Sequence, residues 1–134
     1  MLSLIRKDGI TVKLIQSPPL DSKSHPYNFY PSIILGTKGM KHLILLALCH
    51  EYGHILSVRS GKGLPRSTAM FYAMNIVRSK RDGKAILAEE RRAFRLGFKL
   101  LRDDGIPIDE DMRYARDVLI ASHIKLVRKL LKET

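Results

Sequence analysis

The stretch that most constrains this chain is residues 43–54, LILLALCHEYGH, where seven apolar residues run without interruption into two histidines and a glutamate. A helix that is apolar on every side belongs in the middle of its domain, not on a surface. Polar side chains at the end of such a run must be satisfied inside the protein, because an unpaired buried imidazole or carboxylate costs on the order of several kcal/mol. The rest of the chain therefore has to supply partners for His50, Glu51 and His54, or a cation they can share.

Their spacing points to the cation. Residues four apart on an α-helix differ by only about 40° in direction, so His50 and His54 project from one face and can bind one tetrahedral zinc ion. Glu51 lies one step round. From there its carboxylate is expected to act as the catalytic base, taking a proton from a metal-activated water and passing it to a leaving amine. The competing arrangement is a metal-free, hydrogen-bonded core cluster of the same three side chains.

A hydrolytic zinc needs a third protein ligand and one open position. On a helical wheel of residues 84–103, Ile86, Leu87, Ala93, Phe94, Gly97 and Leu101 share one apolar face, with Glu90 near its centre and Glu89 at its edge. Lys84, Arg91, Arg95, Lys99 and Arg102 take the opposite face. Glu90 is therefore the acid that would be buried, and a buried carboxylate needs a cation. It is the expected third ligand, with Glu89 as its competitor and a surface salt bridge as the alternative fate of Glu90.

The chain reads as α+β, with β structure in the first third and α structure after it, in a single domain over residues 1–134. Residues 2–6 and 10–15 are predicted strands around an Asp8-Gly9 hairpin turn. A polar loop follows over residues 21–26, and a third extended segment over 27–35 is an edge strand or a late-starting one because of Pro31. Thr37 is the expected cap of a helix over residues 38–59. Three further helices are expected over residues 67–79, 84–103 and 109–132.

Lysine and arginine outnumber aspartate and glutamate by 24 to 13, a net charge of +11. Residues 78–102 alone hold nine Lys/Arg against Asp82, Glu89 and Glu90. Such an excess attracts acidic partners, nucleic acid among them, although a solvated helix face is the commoner meaning. One cysteine, Cys49, excludes an intrachain disulfide and suggests a reducing compartment. The first charge falls at Arg6, too early for an export signal, and no apolar run is long enough to span a bilayer, so a cytoplasmic, non-membrane protein is expected.

LCHEYGHIL followed downstream by EERRAFRLG resembles the gluzincin arrangement of HExxH metallopeptidases, and particularly the ImmA/IrrE-like family, over roughly residues 38–101. The resemblance implies zinc at His50, His54 and Glu90, the last heading an E-x-x-A pattern, with Glu51 as general base. It also implies a small β-sheet packed on the active-site helix and hydrolysis of protein or peptide substrates. Residues 32–35 would be the edge strand that pairs with an extended substrate, by that likeness and by β-augmentation.

The chain also departs from related groups. Ser57 and Ser60 stand where the extended metzincin form needs glycine and a ligand. Phe94 replaces the aspartate of the thermolysin-like version, leaving the group that backs the ligands unidentified. His123 is the one downstream histidine that could be a third ligand in the manner of SprT-like proteases. It reads first as a core histidine and second as an oxyanion donor; Tyr72 and Tyr114 read as packing. His42 lies two turns from His50, too far to share a metal, and His25 is expected in solvent. The alternative function is a basic, nucleic-acid-associated protein whose zinc site is structural or inactive.

Overall fold

In a computed structural model, described here for residues 2–133, the chain is α+β: a three-stranded mixed sheet packed on a buried helix, with helices making up the rest. The elements are α1 (Leu2–Lys7), β1 (Thr11–Ile15), β2 (Lys23–His25), β3 (Ser32–Gly36), α2 (Lys41–Arg59), α3 (Arg66–Ala73), α4 (Lys80–Asp103) and α5 (Glu110–Glu133). Among the described residues no helix is long and apolar enough to cross a membrane.

The expected first strand is a helix. Leu2–Lys7 is helical because Asp8-Gly9 closes a helix end instead of a hairpin: Gly9 has φ +83°, its N–H donates to the Arg6 carbonyl, and the Ile10 N–H donates to the Ile5 carbonyl. That pair of bonds is the Schellman ending, which glycine supplies without strain and which brings the flanking apolar residues together. Ile5 and Ile10 accordingly lie in one buried cluster with Val12, Ile33, Leu35, Leu48 and Ile55. The polar loop expected over residues 21–26 contains β2, an antiparallel partner of β3.

Strand order is β1-β3-β2, with β1 parallel to β3, so β3 is the central strand and starts just after Pro31. Residues 32–35 therefore cannot be the free edge assigned to substrate, because β1 pairs with all four and β2 with Ser32, Ile33 and Ile34 on the other side. The free edge nearest the candidate site belongs to β2.

The Thr37 cap is not formed. Thr37 donates its hydroxyl to the Ile15 carbonyl at 2.9 Å, and α2 begins later, after Met40, with no side-chain cap. α3 is shorter than expected, and α4 begins earlier because Ser79 caps it by accepting from the Asp82 N–H at 3.1 Å.

The apolar run places α2 as expected, against β2, β3, α4 and α5. One face meets the sheet cluster, and another meets Phe94, Phe98 and Leu101 of α4 and Met112 of α5 through Leu46 and Cys49. Each such large side chain contributes about 1.5–3 kcal/mol by leaving water. α2 and α4 approach unusually closely at two glycines. A Cβ on Gly53 would lie 2.3 Å from the Ala93 carbonyl oxygen, and one on Gly97 would lie 2.9 Å from the Cys49 backbone. These contacts fix which turn of α4 faces the histidines.

Candidate metal centre

His50 and His54 project from the same side of α2, with ring centroids 4.7 Å apart. The His50 ring is held flat on Phe94, centroid to centroid 3.9 Å at 10°. Because Gly53 and Gly97 let the helices touch, the carboxylate of Glu90 reaches both imidazoles. Its Oε2 is 3.0 Å from His50 Nε2 and its Oε1 is 3.4 Å from His54 Nε2. His50, His54 and Glu90 form a group that can hold a metal ion, their ligand atoms all lying within 4.8 Å of one another. Ligands about 2.0–2.1 Å from a tetrahedral zinc sit about 3.3 Å apart, close to the two distances observed.

Glu89 turns the other way. Its Oε2 accepts from His54 Nδ1 at 2.8 Å, and its Oε1 accepts from Ser57 Oγ at 2.7 Å and from Arg92 at 2.9 Å. It is buried, 4% exposed, where the wheel put it at an edge. With both oxygens engaged, Glu89 stands outside the group that could hold a metal and holds His54 through Nδ1. A carboxylate on the far nitrogen of a metal-binding histidine fixes its tautomer and raises its basicity. Sequence reading saw Glu89 as a rival ligand. The available signal for its backing role was Arg92, three residues on, which balances its charge.

The electrostatics favour positive charge beside these carboxylates. Burial works against the charged form of Glu90, but hydrogen bonds from His50 and His54 and their nearby positive charge hold its carboxyl well below the usual range. Burial likewise disfavours charge on His54, yet the bonds to Glu89 and Glu90, with the Glu51 charge, raise it well above its ordinary 6.5. The two carboxylates thus favour a proton on His54, with which a metal held at its Nε2 would compete. Glu51 is buried beside the ligands, its Oε1 3.5 Å from His50 Nδ1, and lines the adjoining cleft.

That cleft measures about 990 Å³ and runs between the β2 segment and the helices, with mostly apolar walls that include Leu43, Leu64, Met70 and Leu119. Tyr27 and Leu64 also line it, joined by the Tyr27 hydroxyl donating to the Leu64 carbonyl. Across from Glu90 stands a pair read first as core and packing residues: Tyr72 Oη lies 2.6 Å from His123 Nδ1, and His123 Nε2 lies 3.5 Å from Glu90 Oε2. Both line the cleft. Burial, then the Glu90 charge, push the Tyr72 phenol up to about 12, so it keeps its proton beside His123. Their sequence positions, 51 residues apart on different helices, carried no signal of this pairing.

The remaining candidates lie outside the centre. His42 is 3.5 Å from Asp111, Tyr114 is 72% exposed, and His25 sits exposed on β2 at the cleft mouth. Cys49 is buried and its thiol is pushed up to about 12 by that burial, so it is not a nucleophile. No known family profile matches the sequence, no curated protein matches it, and no solved structure matches the fold.

Proposed function

We propose that the protein is a zinc-dependent metallopeptidase in which His50, His54 and Glu90 hold the metal and Glu51 is the general base. The observation that carries this reading is the division of labour between neighbouring glutamates: Glu90 meets the Nε2 atoms of both histidines while Glu89 backs His54 through Nδ1. A carboxylate on the far nitrogen would fix the tautomer of His54 and raise its basicity as a metal ligand, while leaving Glu90 to face both Nε2 atoms. Nitrogen and oxygen donors in a three-ligand set suit zinc with one position left open. When bound, the ion supplies a Lewis acid that polarises a carbonyl and lowers the pKa of a water.

The chain's own residues do the rest. Glu51 lines the cleft beside the candidate ligands without belonging to their group, which suits it to accept a proton and return it to the leaving amine. His123, bonded to Tyr72 through Nδ1, faces the cleft beside Glu90 with Nε2, a position from which an Nε2–H would donate to negative charge developing on a carbonyl oxygen. β2 borders the cleft with an unpaired edge, which suits an extended peptide pairing by backbone hydrogen bonds, and the apolar walls suit its side chains. A single buried cysteine fits a reducing, cytoplasmic setting.

The test is elemental analysis beside a cleavage assay on an unstructured protein. Wild type is expected to carry one zinc and to cut, His50→Ala to lose the metal, and Glu51→Gln to keep the metal while losing about 10²–10⁴-fold in rate. Equal zinc in wild type and His50→Ala would remove the site. Undiminished cleavage by Glu51→Gln would remove the base.

A further inference from the structure

The side of α4 turned away from the metal centre is unexplained by a peptidase. Arg91, Arg95 and Arg102 of α4 and Arg116 of α5 line one groove of about 350 Å³ between the two helices, floored by Phe94, Phe98 and Ile120. At 100° per residue the three α4 arginines lie within about 40° of one line and span about 16 Å; Lys84 continues the row. Some bases of the chain are paired with acids: Arg59 with Asp8, Arg78 with Asp82, Arg92 with Glu89, Lys99 with Asp103. Arg91, Arg95 and Arg102 have no such carboxylate among the described residues, while Arg116 lies over the Phe98 ring at 5.2 Å and is ion-paired with Asp117 at 2.9 Å.

We infer that this groove is a docking site for the phosphate backbone of double-stranded DNA. Charge complementarity selects the partner: guanidiniums grip phosphate oxygens in bidentate fashion, and a duplex presents a negative charge about every 1.7 Å along its axis, enough to engage a row of this length. A single strand is disfavoured because its binding relies on exposed aromatic platforms, while Phe94 and Phe98 are only 1% and 5% exposed. Contacts limited to phosphate give affinity without sequence preference. The inference stands apart from the peptidase reading, since none of these arginines touches the metal group.

The experiment is fluorescence anisotropy of a labelled mixed-sequence duplex titrated with the full chain at several salt concentrations. The triple variant R91Q/R95Q/R102Q is expected to make the dependence of log affinity on log salt shallower by about 2.7, the loss of three phosphate contacts. K7Q/K13Q/K38Q removes the same charge from exposed positions on α1, β1 and the turn after β3, and is expected to leave the slope nearly unchanged. Thermal melts by circular dichroism report that both variants are folded. Equal slope losses in the two variants would reduce the effect to net charge and overturn the groove. Tighter binding of a single strand would overturn the duplex assignment, and tighter binding of polyglutamate would give the groove to an acidic protein instead.

Discussion

On one side of the cleft α2 and α4 touch backbone to backbone at Gly53 and Gly97; on the other, the wall is closed by side chains reaching across gaps. Tyr27 meets the Leu64 carbonyl, Tyr72 meets His123, and α3 is tied to the start of α4 by Thr68 and Arg78 converging on Asp82. The seam carries the candidate ligands and the opposite wall carries the groups that would meet a substrate. A ligand set must be positioned to within fractions of an ångström, and close-packed helices provide that, whereas a wall made of single hydrogen bonds can yield as a chain enters.

The comparison breaks most severely at Gly53. In Gly53→Val the new side chain meets the Ala93 carbonyl, which cannot swing away as a side chain would. Destabilisation is expected at or above the top of the ~1–3 kcal/mol range for overpacked cores. A denaturant melt should show it, together with loss of metal because Glu90 is carried away from α2. A variant as stable as wild type would mean the seam is not close-packed.

This seam is also where sequence reading stopped. The wheel of α4 identified Glu90 correctly as a buried acid, since burial follows from the helix's own periodicity. It set Glu89 at the edge although Glu89 is buried too, because the partners of the two acids are set by the crossing of two helices, which Gly53 and Gly97 permit. The same limit explains β2, a three-residue strand with the polar sequence Lys-Ser-His, which exists only because β3 lies beside it. At the start of the chain, aliphatic residues before Asp8-Gly9 fit a hairpin or a helix ending in a glycine cap, and burial of Ile5 with Ile10 favours the helix.

A finer probe separates the neighbouring glutamates. Glu90→Gln removes a proposed ligand and is expected to weaken zinc binding beyond 100-fold, while Glu89→Gln keeps the ligands and loses only orientation, about 10–100-fold. Competition with a fluorescent chelator measures both. Equal losses would erase the distinction between the two carboxylates.

Acidity tests the same seam more gently. In the metal-free protein the raised His54 stabilises the fold fully below its ordinary 6.5 and loses that contribution as pH rises through its higher folded value. The lowered Glu90 contributes fully above its ordinary 4.5 and loses it as pH falls through its lower folded value. Both contributions coexist between 4.5 and 6.5, where the metal-free chain should melt highest. Metal must displace the His54 proton, so zinc affinity should climb up to about tenfold per pH unit from 6.5 upward, until His54 deprotonates unaided. A chelator titration showing flat affinity across that interval would mean that His54 carries no proton for the metal to displace.

The smallest effect belongs to the opposite wall. Tyr27→Phe removes one hydroxyl and its bond to the Leu64 carbonyl, leaving the ring in place, so the stability loss should be about 0.5–1.5 kcal/mol. Because Tyr27 and Leu64 border the cleft without touching the metal group, zinc affinity should not change. Peptide cleavage is expected to shift in KM more than in kcat, since the bond shapes the entrance and leaves Glu51 alone. If Tyr27→Phe lowered zinc affinity as much as Glu89→Gln, the two sides of the cleft would be mechanically one, and a rigid seam facing a yielding wall would no longer describe this protein.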